Sequence, residues 1–504
     1  MNAPPKVLFI GLDAASPHLV LDWARKGLMP NLRSLQERGS WGFTKNAPGI
    51  YTGSLWPSVF TGTTPGRHGC YYNEQIRPGT YDVADFLGTE IRKEPFWNAL
   101  SRAGKRVCIF DIPKTPVSRE LNGLQIVDWG THDADYLPCS WPAPLIDELQ
   151  TKYGASPFRR CDWVMQKSDP ERTLRRDLLW RVEVKANIAE ELLKRDSWDV
   201  FMMAFGESHC VGHQCWHVHD ASHPNHSPEL RREMGDPVQD VYVALDQAVG
   251  RVLRHAGPET VVIVLCSHGM STHYDATYLL DEVLRRLEKR PPPRSRHLLD
   301  RARKSWKKLP LRFTEQFSTL ARSVNRMPDS RDRRERACFA VPTNANSGGI
   351  RLNLVGREPN GKLHPGKETD DFVARLIDDL GELTEPSSGR VLVNEVLRSR
   401  EVFPGENVDL LPDLFVRWNR ETLISGVSSP KIGTIIEEDT STGRTGDHRS
   451  GGLYFVHGPG LAGGVRLPTA RDEDIAPTVA ALVGVELAET DGHPLFPVAK
   501  KQIR

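Results

Sequence analysis

The chain has 504 residues, 39% hydrophobic and 26% charged, with a formal net charge of +1. That balance fits a soluble globular protein, and near-neutrality excludes a global field drawing it to nucleic acid or a membrane surface. The length allows one elaborated α/β enzyme domain as readily as several smaller ones.

The first apolar run, Val7 to Leu12, is too short for a secretory core or a membrane span and reads as a buried strand. Pro17 to Arg38 reads as helix interrupted by a turn at Gly27. Further strands are expected at Arg106 to Ile112, Leu124 to Trp129, Asp199 to Phe205 and Thr260 to Cys266. Near-continuous apolar runs of this kind suit the central strands of a mainly parallel sheet covered by helices on both faces. The expected fold is a doubly wound α/β sandwich with inserted cap segments. Its core would span 1–283 and 337–504, with an insertion at about 74–195. The segment 284–336 is dense in Arg and Lys and contains Pro291, Pro292 and Pro293. It reads as a solvated helical insertion, or as a basic cap or lid that meets an anionic substrate or partner. The eight cysteines (Cys70, Cys108, Cys139, Cys161, Cys210, Cys215, Cys266 and Cys338) include no CxxC pair, so reduced thiols and a cytoplasmic setting are expected. No membrane or nucleic-acid partner is expected, and a homo-oligomer is left open.

Ligands of open α/β sheets bind beyond the carboxyl ends of the strands. The first strand ends at Asp13. The strand ending at Phe205 runs into Glu207, His209 and His213, and the strand ending at Cys266 runs into Ser267 and His268. Three strand ends thus converge with carboxylate and imidazole, as a metal site requires. His209 and His213 are four apart and would share one face of a helix. His217, His219, His223 and His226 follow and read as a solvated histidine-rich loop. Tyr51 to Gly69 is rich in hydroxyls and turn formers. It is either an ordinary turn or the source of a Thr or Ser nucleophile activated by a cation.

Several motifs occur in a set order: GlyLeuAsp (11–13), GlyLeuMetProAsnLeu (27–32), ThrGly (61–62), ProGlyArgHisGly (65–69) and SerHisGlyMet (267–270), then ProAspLeu (412–414), ThrGlyAspHisArg (445–449), AspIleAlaProThr (474–478) and AspGlyHisPro (491–494). The chain resembles the type I phosphodiesterase/nucleotide pyrophosphatase branch of the alkaline phosphatase superfamily. The resemblance implies a metal-dependent hydrolase of phosphodiester or nucleotide-pyrophosphate-type substrates. It implies Asp13 as the first metal ligand and Thr52, nine residues before Thr61, as nucleophile and ligand, with Trp56 supporting that register. Asn73 would contact the phosphate, and His213, His268 and His448 would complete the ligand set. The cofactor would be one or two divalent ions, Zn above all, with Mn, Fe or Ca as alternatives.

Two positions depart from the family pattern. His209 and Ser267 stand where the family carries metal-binding aspartates, and His209 can still serve as a metal ligand, since imidazole suits Zn and Fe. Two close divalent ions need anionic ligands, so losing two carboxylates weakens a two-metal centre. Glu207 and Asp447 are candidate substitutes, Ser267 is a poor ligand, and Ser54 is a reserve nucleophile. The implied reaction passes through a covalent phospho-threonine. Alternatives are a non-hydrolytic binding protein on the same fold and a hydrolase of sulfate esters, phosphonates or phosphomonoesters. Tyr71, Tyr72, Trp129, His132 and Asp133 are candidates for the pocket wall.

Overall fold

The computed structural model describes residues 6–132, 134–291, 331–344, 346–436 and 443–497. Asp133 and most of the basic segment, 292–330, lie outside the described residues. The chain forms two compact units. One comprises Met1–His68, Leu87–His273 and Thr442–Arg504, the other Gly69–Phe86 and Tyr274–Ser441.

The first unit is built on a nine-stranded sheet. Its centre is parallel: Val7–Leu12 lies between Val200–Phe205 and Val261–Cys266, and Val107–Phe110 and Gly123–Val127 continue the sheet beyond Val200–Phe205. Gly452–His457 and Ser40–Lys45 join antiparallel on the other side. The stretch read as an insertion thus contributes three strands to the main sheet, the third being Cys139–Trp141, antiparallel to Gly123–Val127. Every residue of Val7–Leu12 is buried, because both faces of the strand are covered. Leu8, Ile10 and Leu12 face one hydrophobic core. Val7 and Phe9 face another, with Leu55, Trp56, Val59 and Phe60.

Register decides where the polar strand ends meet. Leu12 pairs with Phe205 on one side and Cys266 on the other. Asp13, Gly206 and Ser267 therefore leave the sheet at one level, on its carboxyl edge. The expected helix from Pro17 to Arg38 is two helices, Pro17–Arg25 and Pro30–Arg38, separated at Gly27.

The second unit has a four-stranded antiparallel sheet in the order Cys338–Val341, Ser347–Leu352, Leu414–Trp418, Val393–Arg398. Helices Thr277–Leu287 and Lys367–Gly381 pack on it. Among the described residues, no helix is long and apolar enough to cross a membrane.

Candidate metal and phosphoryl site

The strand Val200–Phe205 turns at Gly206 into the helix Glu207–His219. Residues four apart on a helix share a face, so His209 and His213 project together. They meet His448, which sits on the strand Gly446–Arg449 paired with Gly269–Thr272. The three Nε2 atoms form a close triangle: His209 to His213 is 2.9 Å, His209 to His448 is 3.0 Å and His213 to His448 is 3.0 Å.

The opposite nitrogens reveal which tautomers fill this triangle. His213 Nδ1 is 2.8 Å from the Gly446 carbonyl, which can only accept, so the proton is on Nδ1. His209 Nδ1 is 3.0 Å from Asp13 Oδ2, an ion-pair contact. A carboxylate there again draws the proton to Nδ1. The third case runs through a relay. Ser267 Oγ donates its only proton to Asp13 Oδ1 at 3.0 Å, so it can only accept from His268 Nδ1 at 2.8 Å. His268 Nε2 is then bare and accepts from His448 Nδ1 at 2.7 Å. Burial lowers His268 to about 4, against the opposing charge of Asp13, so it stays neutral near pH 7. Burial likewise lowers His209, His213 and His448. The three Nε2 atoms therefore carry no proton of their own and face one point, with Arg444 Nη1 3.4 Å from that of His213. Metal-binding histidines have this pattern, with the far nitrogen donating to a carboxylate, a carbonyl or another ordered acceptor.

Asp13 is committed differently. It accepts from Trp56 Nε1 at 2.9 Å and from Ser267, and it lies against His209. Burial alone would raise its carboxyl, but His209, His268 and the Trp56 hydrogen bond together hold it well below the usual carboxylate range. Trp56 reaches Asp13 by crossing Gly11, where a Cβ would come within 2.4 Å of the indole. The glycine of GlyLeuAsp is thus a steric requirement of the site.

Tyr51 to Gly69 is not an ordinary turn. Tyr51–Thr61 is a helix, closed by Gly62 in the left-handed conformation at φ 67°. The spacing between Thr52 and ThrGly is therefore the length of one helix. Thr52 stands in the first turn, and its Oγ1 is buried with no hydrogen-bond partner among the described residues. Tyr51 packs edge-on against His268 at 5.7 Å between ring centres. Ser54, the reserve nucleophile, is fully buried and donates to the Ile50 carbonyl at 2.9 Å, so its hydroxyl is occupied in the helix.

The Type I phosphodiesterase / nucleotide pyrophosphatase profile matches residues 7–424. The chain belongs to this family. It is a phosphoric ester hydrolase by family. Comparison with curated proteins by sequence returns no match. Phosphonoacetate hydrolase from Sinorhizobium meliloti 1021, solved with phosphonoformate, is 15% identical over 96% of each chain with a TM-score of 0.53. Murine ectonucleotide pyrophosphatase / phosphodiesterase 5 is 13% identical, covers 96% of this chain and 97% of its own, and has a TM-score of 0.51. At these identities the likeness concerns the fold, which is alkaline phosphatase-like.

Glu207 does not join the cluster. It is fully buried with its carboxylate 2.9 Å from Arg181, on the side of the helix away from His209 and His213. Asp447 does approach: it groups with His213 and His448, and its Oδ1 accepts from the His448 backbone N–H at 2.7 Å. Asn73 belongs to the second unit, where its carbonyl accepts from Phe86 N at 2.7 Å. Tyr71 and Tyr72 are in that unit as well, while Trp129 is core, stacked on Trp180. The later histidines are not a solvated loop. His217 and His219 continue the helix, and His223 and His226 contact the carbonyls of Thr445 and His217 at 3.0 and 2.7 Å. Buried carbonyls need donors, and these imidazoles supply them.

Arg444 also reaches the triangle, although no motif of the sequence points to it. Its Nη1 is 3.4 Å from His213 Nε2, and Asp162 holds the rest of the guanidinium through contacts of 3.1 and 2.8 Å. The charge run in ArgThrGlyAspHisArg (444–449) is the only signal that could have pointed to it.

Proposed function

We propose that the chain hydrolyses phosphodiester or nucleotide-pyrophosphate bonds with Thr52 as nucleophile and one divalent ion held by His209, His213 and His448. The carrying observation is the triangle of Nε2 atoms, 2.9–3.0 Å apart, contributed by three imidazoles that burial keeps neutral. A tetrahedral ion with bonds of about 2.0 Å to nitrogen keeps such ligands roughly 3.3 Å apart. Imidazole donors suit Zn best among common divalent ions, with Fe next. When bound, the ion supplies Lewis-acid charge to a phosphoryl oxygen.

The second ion of the family has no free ligand set in this reading. Both Asp13 oxygens are engaged, and the His268 lone pair is spent on His448. The Asp13–Ser267–His268–His448 relay stands in its place and sets the His448 tautomer.

The chain's own groups account for the rest. Thr52 Oγ1 bonds to phosphorus, the leaving oxygen departs from the opposite side, and water then cleaves the phospho-threonine. The N-terminal N–H groups of Tyr51–Thr61 and the Arg444 guanidinium favour the negative charge that develops. An inactive threonine-to-alanine variant of the murine protein, solved with AMP, is consistent with a threonine nucleophile and a nucleotide substrate.

The test is turnover of bis(p-nitrophenyl) phosphate, a dinucleotide polyphosphate, p-nitrophenyl phosphate and phosphonoacetate by the purified full chain. The diester or pyrophosphate is expected to be cleaved fastest, and Thr52→Ala is expected to lose at least ~10³-fold of that rate. Full turnover by folded Thr52→Ala would refute the nucleophile. Preference for phosphonoacetate would refute the substrate class.

A further inference from the structure

The helix Glu207–His219 carries a second stripe beside the His209/His213 face. Cys210 and Gln214 are also four apart, one position further round. They face Cys161, at the start of the short helix Cys161–Val164, and His132, in the loop after the strand Gly123–Val127. His132 Nδ1 is 3.4 Å from Cys161 Sγ and 3.4 Å from Cys210 Sγ. All three donor atoms lie within 4.8 Å of one another, and the residues are buried. Both thiols are free.

We propose that His132, Cys161 and Cys210 form a second cation site, separate from the three-histidine triangle, that takes a thiophilic divalent ion such as Zn(II). Zn–S bonds of ~2.3 Å and Zn–N bonds of ~2.0 Å in tetrahedral geometry place sulfur and nitrogen roughly 3.5 Å apart. The observed spacing matches on both edges. Binding releases two thiol protons and forms two metal–sulfur bonds.

The surroundings accept such an ion. The neighbouring buried charges already cancel in pairs: Arg181 lies 2.9 Å from Glu207, and Lys185 lies 2.8 Å from Asp111. A divalent cation with two thiolates and a neutral imidazole adds no net charge to that volume, so the Born cost of a lone buried ion is avoided. Gln214 Nε2 donates to Cys161 Sγ at 3.4 Å, an N–H···S contact that orients the sulfur. The loop is pre-set as well. Asp111 accepts from the backbone of Trp129 and Gly130 at 2.8 Å each, and Asp128 accepts from Thr131 at 2.6 Å. These contacts fix His132 without help from an ion.

The site would tie three segments together behind the triangle. His132 is 4.1 Å from His209 between ring centres, so it also backs one arm of that triangle. Glu207, which the sequence offers as a ligand, instead serves here by neutralising Arg181.

The test uses the full chain, reduced, stripped with chelator and loaded with Co(II). A sulfur-to-cobalt charge-transfer band in the near ultraviolet is expected in the parent and in His213→Ala. Its loss is expected in the double variant Cys161→Ser/Cys210→Ser, together with one equivalent of bound metal. X-ray absorption of the Zn-loaded parent covers the event that the serine variant does not fold, and should show a sulfur shell at about 2.3 Å. No charge-transfer band and no sulfur shell in the parent would overturn the proposal. A band retained in the double serine variant, or an intact-protein mass showing a Cys161–Cys210 disulfide in place of a metal, would do the same.

Discussion

The two halves of the candidate site differ at the positions, His209 and Ser267, where the family pattern is expected to carry an aspartate. Around His209 the replacement is another donor. Imidazole takes the carboxylate's place, its Nε2 2.9 Å from that of His213, and the triangle stays complete. Around Ser267 the replacement is a neutral hydroxyl that cannot ligate well, and it bridges Asp13 and His268 by hydrogen bonds instead. One half keeps three imidazole nitrogens facing one point, while the other spends its own in side-chain hydrogen bonds. On the proposed reading, a metal site tolerates the loss of an anionic ligand when a new lone pair enters the same space, and becomes a relay when the newcomer brings a proton.

The largest effect expected from this contrast is at His213. His213→Ala should lose the triangle's ion and on the order of 10³-fold in hydrolysis, read by metal content and turnover together. Unchanged turnover with that ion gone would dissolve the contrast. A reverse experiment sharpens it. The double variant His209→Asp/Ser267→Asp restores both carboxylates and should bind one more equivalent of metal than the parent, by elemental analysis. If the count stays constant, the relay is not what displaces the second ion. More modestly, Ser267→Ala removes the link from Asp13 to His268 and frees the His448 tautomer. Metal affinity should fall about 10- to 100-fold by competition with a chelator, with the fold intact.

Acid sensitivity tests the surroundings of the two halves. His68 is buried against Ser58 Oγ at 3.1 Å, and burial lowers its imidazole from 6.5 to about 3. The unfolded chain takes up this proton first. The contribution of His68 to stability is therefore whole above about pH 6.5 and is lost as pH falls toward 3, by up to roughly 4 kcal/mol. In denaturant titrations His68→Gln should show a shallower loss across that range, and an identical slope would contradict it. The smallest effect is expected at Ser54. Its hydroxyl only caps the Ile50 carbonyl, so Ser54→Ala should cost about 1 kcal/mol and leave turnover unchanged. A large loss of turnover would return Ser54 to the reaction.

Much of this was legible in the chain itself. The strands at Val7–Leu12, Val200–Phe205 and Val261–Cys266 are visible because a strand buried on both faces must be apolar throughout. The helical spacing of His209 and His213 is local, so it too could be read in advance. The helix Tyr51–Thr61 was harder to see, because its Ser, Thr, Gly and Pro content imitates a turn. Tertiary packing decides there: nine of its residues are buried, and the apolar face lies in the core that also holds Val7 and Phe9. The direction of Glu207 was equally hidden, since Arg181 and Lys185, which draw it inward, lie more than twenty residues upstream.

The sequence by itself determined which donors exist and which strand ends carry them: Asp13 after the first strand, His209 and His213 after the second, Ser267 and His268 after the third. Hydrophobic periodicity and local spacing suffice for that. Only the tertiary structure decided where each proton and lone pair goes. The Gly446 carbonyl, the Asp13 carboxylate and the Ser267 hydroxyl fix the tautomers of His213, His209 and, through His268, His448. Those partners are brought together from four distant parts of the chain by sheet register and burial, and no local pattern encodes that meeting.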